Sequence, residues 1–395
     1  MKITNIETFR VDGGWRPWTF VKVSTDEGLV GWSEATDSHG SPRGIAGVIE
    51  DLKYLLLEKD PLEVEKLFWF MYGRTRQAAG GIAQKAIAGI QNALLDIKAK
   101  SMGVPVYELF GGAVRRQIPI YWSRCGTARV RDWKYIDKSQ LKSLEDIPAL
   151  VKEVKERGYR AFKTNIVVLG DEPFVYMPGF SKSEGWPALN ASKKILNSLE
   201  SYIGKLRDAA GEDMEILLDL NLNFRTDGYI KAARMLEKFN LFWLEIDSDD
   251  PEALLQIKNL TTTPIASAEN LTNPIQYRPY LEKRALDIAI VDVVWNGLLQ
   301  SRKIADLAEV YQTNVSTHAY HGPLAPFITA AFCALTPNLK IMETDVDEVP
   351  WRDEFLINPL KIHDGIMELS SGPGWGTEIN EEAIRAHPWP KEGSL

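Results

Sequence analysis

Glu215-Ile-Leu-Leu-Asp219 is a short apolar run that ends in an acid, and the same pattern recurs twice more at intervals of about 25 residues. The second and third copies are Leu241-Phe-Trp-Leu-Glu245 and Pro264-Ile-Ala-Ser-Ala-Glu269. Apolar runs of this length between loops predict buried parallel strands. If these strands are neighbours in a barrel, the three terminal acids converge on its catalytic face. Three such carboxylates need a counter-charge, and Mg²⁺ is the expected one because it prefers oxygen ligands.

Further apolar runs continue this alternation of strands and helices along the chain. Together they give eight candidate strands: 118–123, 161–166, 215–221, 241–247, 264–270, 288–293, 314–318 and 340–344. Helical segments lie between them, and this alternation is typical of a (β/α)₈ barrel. Residues 170–192 are long for a barrel connection and are rich in glycine, proline and aromatic residues, so we expect a lid or an oligomer contact there.

The segment before the barrel has a different pattern. Residues 2–9, 19–23 and 31–34 predict strands, and residues 82–100 carry small and apolar side chains at helical spacing. We therefore divide the chain into three parts, namely an α+β domain at 1–115, a barrel at 116–354 and a C-terminal tail at 355–395.

Composition limits the class of protein. The chain has 395 residues, 45% of them hydrophobic and 25% charged, which is ordinary for a globular protein. A net charge of −8 argues against nucleic acid and anionic membranes as partners. No run approaches the ~18 apolar residues of a membrane span. The chain has only two cysteines and carries charges near Met1 in place of an apolar leader, so a cytoplasmic location is expected.

Two further strand ends carry a candidate acid/base pair. Asp292 ends the sixth candidate strand and His318 ends the seventh. Adjacent strand tips can place the carboxylate against one imidazole nitrogen, which fixes the tautomer and raises the basicity of the ring. A metal that binds a substrate carboxylate would stabilise the enediolate formed when the neighbouring C–H proton leaves, and His318 is the candidate base or acid.

Other polar residues share these strand tips. Lys163 and Asn165 alternate onto one side of the second candidate strand, Asn221 shares the side of Asp219, and Glu343 ends the eighth strand. An acid at a strand end is also often a helix N-cap, so one such residue alone would carry little weight.

With these residues, the chain resembles the mandelate racemase/muconate-lactonizing branch of the enolase superfamily over nearly its whole length. Its closing segment, Gly372-Pro-Gly-Trp-Gly-Thr-Glu-Ile-Asn380, is similar to the family's ending. The resemblance implies a modified (β/α)₇β barrel under an α+β capping domain built from both termini. It also implies three Mg²⁺ ligands and an acid/base dyad, at Asp219, Glu245, Glu269, Asp292 and His318.

Within this branch, two motifs resemble sugar-acid dehydratases of the D-galactonate dehydratase type. They are His318-Ala-Tyr-His-Gly-Pro-Leu-Ala and Phe162-Lys-Thr-Asn165. Asn165 departs from relatives that have a second lysine there, and Asn221 stands where D-galactonate dehydratases have a histidine. Because neither amide can accept a proton, chemistry with one base is favoured over racemisation. By resemblance, Lys163 would pair with the substrate carboxylate.

The leading hypothesis is a Mg²⁺-dependent dehydratase that converts an aldonate-like 2,3-dihydroxy acid into a 2-keto-3-deoxy acid. A cycloisomerase, an epimerase or racemase on a sugar acid, and a non-catalytic barrel that binds sugar acids remain as alternatives. A homo-oligomer, from dimer to octamer, is expected.

Substrate contacts are expected from the strand tips and from capping loops. The candidates are Asn165, Asn221, His321, Glu343, Trp15, Arg16 and Arg74. Family capping domains place a specificity loop near Trp15 and Arg16, although both could also be surface packing, and Arg74 could be a solvated charge. Lone histidines are usually structural, which is the expectation for the remaining three, His39, His363 and His387.

Overall fold

The structure, a computed structural model, describes residues 1–390. It begins with an antiparallel sheet of three strands, β1 (Ile3–Asp12), β2 (Pro17–Thr25) and β3 (Val30–Glu34). Three helices follow, α1 (Pro42–Leu56), α2 (Val64–Arg74) and α3 (Gly81–Ser101). The helix predicted at 82–100 is therefore present and is one residue longer at each end.

Helix α3 lies directly on this sheet. A Cβ atom at Gly31 of β3 would come within 2.1 Å of the carbonyl oxygen of Ala93, so glycine is required for this close approach. The small side chains that predicted the helix face the sheet and the barrel, and most of α3 is buried.

The strands of the second part form the barrel and one small hairpin. Their bounds are β4 (Gln117–Ser123), β5 (Ala161–Thr164), β6 (Val167–Val168), β7 (Phe174–Val175), β8 (Glu215–Asp219), β9 (Trp243–Glu245), β10 (Ile265–Ser267), β11 (Ile288–Asp292), β12 (Asn314–His318) and β13 (Met342–Asp345). Strands β6 and β7 form the hairpin, and the others pair in parallel in the order β12-β11-β10-β9-β8-β5-β4-β13. A parallel bridge between Val315 and Leu339 joins the two ends and closes the barrel.

Helices lie between successive barrel strands. They are α4 (Thr127–Arg131), α5 (Ile147–Glu156), α6 (Lys193–Ala210), α7 (Thr226–Leu236), α8 (Pro251–Lys258), α9 (Asn273–Glu282), α10 (Val293–Asn296), α11 (Leu298–Val310) and α12 (Ala325–Leu335). Seven strands are each followed by at least one helix, whereas β13 leads into the tail. The (β/α)₈ count is thus corrected to the (β/α)₇β barrel that the family resemblance implied.

The tail returns to the N-terminal segment. It contains β14 (Ile362–His363), β15 (Ile366–Glu368) and α13 (Glu381–Ala386), and β15 pairs antiparallel with β4. Trp375 donates its backbone N–H to Asp96 and its indole N–H to the carbonyl of Trp32, at 3.0 and 2.8 Å. The predicted tail extends to residue 395, and its last five residues lie outside the described residues.

Candidate active site

Three carboxylates meet at the carboxyl ends of β8, β9 and β10. Asp219 and Glu245 are register partners on neighbouring strands, and Glu269 follows the end of β10 by two residues. Each offers one oxygen, and these three atoms lie within 4.8 Å of one another. All three side chains are buried. One octahedral ion with bonds of about 2.1 Å can bridge oxygens at such separations.

The electrostatics of this cluster call for a cation. Burial and the neighbouring Glu245 raise the pKa of Asp219 to about 8, and burial together with Asp247 and Asp219 raises the pKa of Glu269 well above its usual value. One oxygen of Glu245, Oε1, is buried and has no hydrogen-bond partner within residues 1–390. Unpartnered buried carboxylate oxygens are costly in free energy. The three-carboxylate donor set therefore fits a hard divalent cation such as Mg²⁺.

Two amides hold Asp219 in place. Asn221 donates its backbone N–H to Oδ1 at 2.7 Å and its side-chain amide to Oδ2 at 2.8 Å, while Asn165 donates to Oδ2 at 3.2 Å. Asn221 has a φ of +48°, in the left-handed region that asparagine tolerates, and this bends the chain back to Asp219. Both amides line the cavity, as expected, but their hydrogen bonds show that they also orient a carboxylate.

Lys163 forms ion pairs with two protein carboxylates. Its Nζ lies 3.0 Å from Glu245 Oε2 and 2.9 Å from Glu343 Oε1. Burial opposes the charged form, yet these two carboxylates raise the pKa of Lys163 well above its usual value. Its charge balances Glu245 and Glu343, and it also lines the cavity, so pairing with a substrate carboxylate stays a prediction. Glu343 also accepts hydrogen bonds from Ser123 Oγ and from the backbone N–H of Ala319.

Asp292 and His318 form the predicted pair. They are register partners on β11 and β12, and Nδ1 of His318 lies 2.6 Å from Asp292 Oδ2. Burial opposes ionisation of Asp292, but the two adjacent imidazoles hold its pKa below its usual value, and Asp292 in turn raises the pKa of His318 against the effect of burial. The other ring nitrogen, Nε2, lies 3.6 Å from Oε2 of Glu269. His318 thus presents a free nitrogen to the carboxylate cluster.

His321 does not lie where a substrate contact requires it. Its side chain is fully buried and does not line the cavity. Its Nε2 lies 2.7 Å from the same Asp292 Oδ2 that His318 contacts. The loop after β12 turns this ring behind Asp292, so the position of the ring gives the predicted substrate contact no support.

The two arginines predicted to contact the substrate also lie off the cavity wall. Arg16 is fully buried and its guanidinium is bound to Glu348 at 2.8 Å and to Asp345 at 3.2 Å. These carboxylates draw the guanidinium away from the cavity. Arg74 is exposed at the end of α2, off the cavity wall. By contrast, Trp15 does line the cavity.

The cavity has a volume of about 280 Å³ and lies over the strand tips. Much of its wall comes from residues that sequence reasoning did not select: Asp37, His39, Lys85, Arg124, Arg131, Met177, Phe180, Trp295 and Tyr320. Lys85 was hidden in the small-residue pattern of α3. Its Nζ lies 3.0 Å from Asp37 Oδ2 and 3.5 Å from the ring centre of Trp295, which packs on His318. His39 lines the cavity, contrary to the expectation that it is only structural.

Comparison with protein families agrees with this geometry. Residues 13–111 match the mandelate racemase/muconate lactonizing enzyme N-terminal domain, and residues 146–383 match the enolase C-terminal domain-like family. The chain belongs to the enolase superfamily. Within it, the match over residues 13–111 identifies the mandelate racemase/muconate-lactonizing branch, so the predicted family and fold are confirmed.

Two relatives of similar length are named dehydratases. The chain is 29% identical to a D-xylonate dehydratase of Haloferax volcanii, and the matched region covers 98% of this chain and 89% of the relative. It is 28% identical to a D-galactonate dehydratase of Variovorax paradoxus, with 97% and 94% covered. These names support the predicted enzyme class, a hydro-lyase of this superfamily.

A solved structure from Burkholderia xenovorans is more similar. It is 43% identical, covers 100% of both chains and has a TM-score of 0.96. That protein is provisionally named an L-alanine-DL-glutamate epimerase, and a second crystal structure shows it bound to magnesium and fumarate. Within residues 1–390 of the present chain, no helix has the length and apolar character needed to cross a membrane.

Proposed function

We propose that this protein is a Mg²⁺-dependent dehydratase that converts a 2,3-dihydroxy sugar acid into a 2-keto-3-deoxy acid. The observation that carries the proposal is a cluster of three carboxylates beside a single carboxylate-supported imidazole. The free Nε2 of His318 lies 3.6 Å from Glu269, one of the three acids. The dehydratase names of the two relatives above support the same reaction class.

Asp219, Glu245 and Glu269 would hold the ion. When bound, Mg²⁺ supplies positive charge to the substrate carboxylate and to the negative charge that develops as the neighbouring C–H proton leaves. Lys163 adds a second fixed positive charge, because its raised pKa keeps it protonated beside Glu245. This low-dielectric, preorganised arrangement favours the charged transition state over the neutral substrate.

His318 is the proton carrier in this proposal. Because Asp292 is ionised and can only accept, Nδ1 of His318 carries the hydrogen of their bond, and Nε2 is left as a proton acceptor. Nε2 takes the C2 proton, and the resulting imidazolium donates a proton to the departing 3-hydroxyl, which leaves as water. The enol product then tautomerises to the 2-keto acid. If one imidazole performs both transfers, the elimination is syn.

Two-base chemistry has less support. An epimerase needs a proton acceptor on each face of C2. Asn165 and Asn221 line the cavity as amides, which cannot accept a proton, and Lys163 is held protonated by Glu245 and Glu343. A non-catalytic sugar-acid-binding barrel also has less support, since binding alone needs no buried Asp–His pair.

The direct test is a substrate screen. Purified enzyme with Mg²⁺ should release a keto acid from one or a few members of a panel of aldonates and aldarates, beginning with D-xylonate and D-galactonate. EDTA should abolish the release and Mg²⁺ should restore it. Inversion at C2 without keto-acid release would instead establish an epimerase. We also propose a cytoplasmic homo-oligomer, which fractionation and size-exclusion chromatography with light scattering would test.

A further inference from the structure

Asp292 accepts hydrogen bonds from two imidazoles at one oxygen. Its Oδ2 lies 2.6 Å from His318 Nδ1 and 2.7 Å from His321 Nε2. Its Oδ1 accepts the backbone N–H of Trp295 at 2.8 Å. Asp292 is fully buried, and an ionised carboxylate only accepts, so both ring nitrogens are donors.

His321 has no direct route to the substrate. Its side chain is fully buried off the cavity wall, and its other nitrogen, Nδ1, is buried and has no hydrogen-bond partner in the described part of the chain. A buried polar atom without a partner costs free energy. The hydrogen bond to Asp292 is the polar contact that this imidazole makes, and it explains why a histidine occupies this position.

We propose that His321 is a positioning residue for the reaction, acting through Asp292 on His318. This inference rests on the proposed role of His318 as the proton carrier. Without His321, the carboxylate of Asp292 would lose one of its three hydrogen bonds, and rotation about its Cβ–Cγ bond would be less restrained. The third donor thus tightens the carboxylate plane and, with it, the direction in which Nε2 of His318 faces the substrate.

The loop that carries His321 is itself held from the N-terminal sheet. Glu34, at the end of β3, is fully buried and accepts the backbone N–H groups of Gly322 at 2.8 Å, Leu324 at 2.7 Å and Ala325 at 3.0 Å. Burial raises the pKa of this carboxyl, whereas the backbone donors and the helix dipole at the N-terminus of α12 favour its charged form. A chain of contacts thus runs from Glu34 through the His321 loop to Asp292.

The test compares two substitutions of His321 by steady-state kinetics on the substrate found in the screen. His321→Leu removes the donor, and we expect kcat to fall by about 10- to 100-fold while KM is unchanged. His321→Gln retains a side-chain N–H near the position of Nε2 and should recover most of kcat. The proton NMR spectrum should show two far-downfield imidazole N–H signals in the wild type, and each His321 variant should lack one of them.

The matched control is His387→Gln. His387 also places its Nε2 near a carboxylate, at 2.9 Å from Glu354 Oε2, but outside the cavity. Its kcat should equal that of the wild type. If His321→Leu does not fold, Glu34→Gln takes its place. The side-chain NH₂ group of this glutamine would face a backbone N–H of the loop and could not accept its hydrogen bond. The loop would lose part of its support, so kcat should fall with KM unchanged.

Wild-type kcat in His321→Leu would overturn the inference. Equal losses of kcat in the leucine and glutamine variants, in step with equal losses of thermal stability, would also overturn it. If Glu34→Gln is used in place of His321→Leu, an unchanged kcat in that variant would overturn the inference. Failure of the proposed function is separate, because it would appear as residual turnover in His318→Asn, whatever the His321 variants do.

Discussion

Asp292 and His318 face each other in register on adjacent parallel strands, with 2.6 Å between the carboxylate oxygen and Nδ1. Neither side chain depends on a flexible loop for its position, since each is the last residue of its strand. The barrel hydrogen bonds that align β11 with β12 therefore also align the pair. Rigid placement of this kind favours rapid proton transfer at the free nitrogen.

The first prediction concerns metal dependence. Asp219→Asn should lower turnover to below about 1% of the wild type, because the ion loses one of three carboxylates. Mg²⁺ should raise the melting temperature of the wild type but not of the variant. In EDTA above pH 8, where Asp219 is ionised, the variant should melt above the wild type, because one of three crowded buried charges is gone. Differential scanning fluorimetry measures the melting temperatures of both proteins with Mg²⁺ and in EDTA. An Mg²⁺-independent wild type would contradict the metal site.

The second prediction concerns the support of His318. Asp292→Asn should lower kcat by about 10²- to 10⁴-fold, because an amide N–H opposite Nδ1 favours the tautomer whose Nε2 is already protonated. Circular dichroism should show an unchanged fold. Steady-state kinetics on the identified substrate checks the loss, and turnover near the wild-type rate would remove His318 from the chemistry.

The third prediction concerns the number of bases. In D₂O, an unreactive substrate analogue should exchange its C2 proton in one configuration only, and His318→Asn should abolish the exchange because an amide cannot accept a proton. Proton NMR follows the loss of the C2 signal. Exchange of both C2 epimers would restore the epimerase alternative, and exchange that survives in His318→Asn would indicate a second base.

The fourth prediction concerns Lys163. Lys163→Met should lower the free energy of unfolding by about 3–5 kcal/mol in EDTA, because it leaves Glu245 and Glu343 buried without their cation. Added Mg²⁺ should restore part of this loss, since the ion compensates Glu245. Urea unfolding with and without Mg²⁺ provides the measurement. A stable Lys163→Met protein in EDTA would show that the two carboxylates are protonated in the metal-free enzyme.

The fifth prediction concerns pH. A hydrogen bond from Arg129 at 2.7 Å lowers the pKa of Glu153 to about 2, against an ordinary value of 4.5. The depressed pKa of Glu153 in the folded state contributes stability above pH 4.5. This contribution is lost as the pH falls from 4.5 towards 2. Glu153→Gln should therefore cost about 1–2 kcal/mol at pH 7 and nearly nothing at pH 2.5, after allowance for partial solvent exposure.

Urea unfolding at both pH values tests this difference. Glu156→Gln on the same helix is the control, because Glu156 is exposed and pairs only with exposed Lys152. An equal cost for Glu153→Gln at both pH values would contradict the linkage.

The sequence predicted the residues whose positions depend on strand register. Every candidate barrel strand is present, and Asp219, Glu245 and His318 are the last residues of their strands, as the apolar runs indicated. Glu269 lies two residues past its strand and still joins the cluster, because parallel strand ends converge on one rim.

Loop side chains could not be predicted in the same way. Arg16 forms ion pairs with Asp345 and Glu348, which lie more than 300 residues away in the chain. No local sequence pattern predicts that pairing. His321 lies three residues beyond His318, and only the turn of the loop decides that its ring lies behind Asp292 rather than over the cavity. Lys85 is a single polar residue on a helix whose pattern indicates packing.

The three backbone hydrogen bonds that Glu34 accepts from the loop after β12 determine when the active site is complete. Gly322, Leu324 and Ala325 would leave three buried N–H groups without acceptors until the N-terminal sheet docks. A closed barrel without the docked N-terminal sheet would contain every metal ligand, but the loop beside Asp292 would lack its fixed conformation. Competence for the reaction therefore requires the contact between the N-terminal sheet and this loop as well as the closure of the barrel.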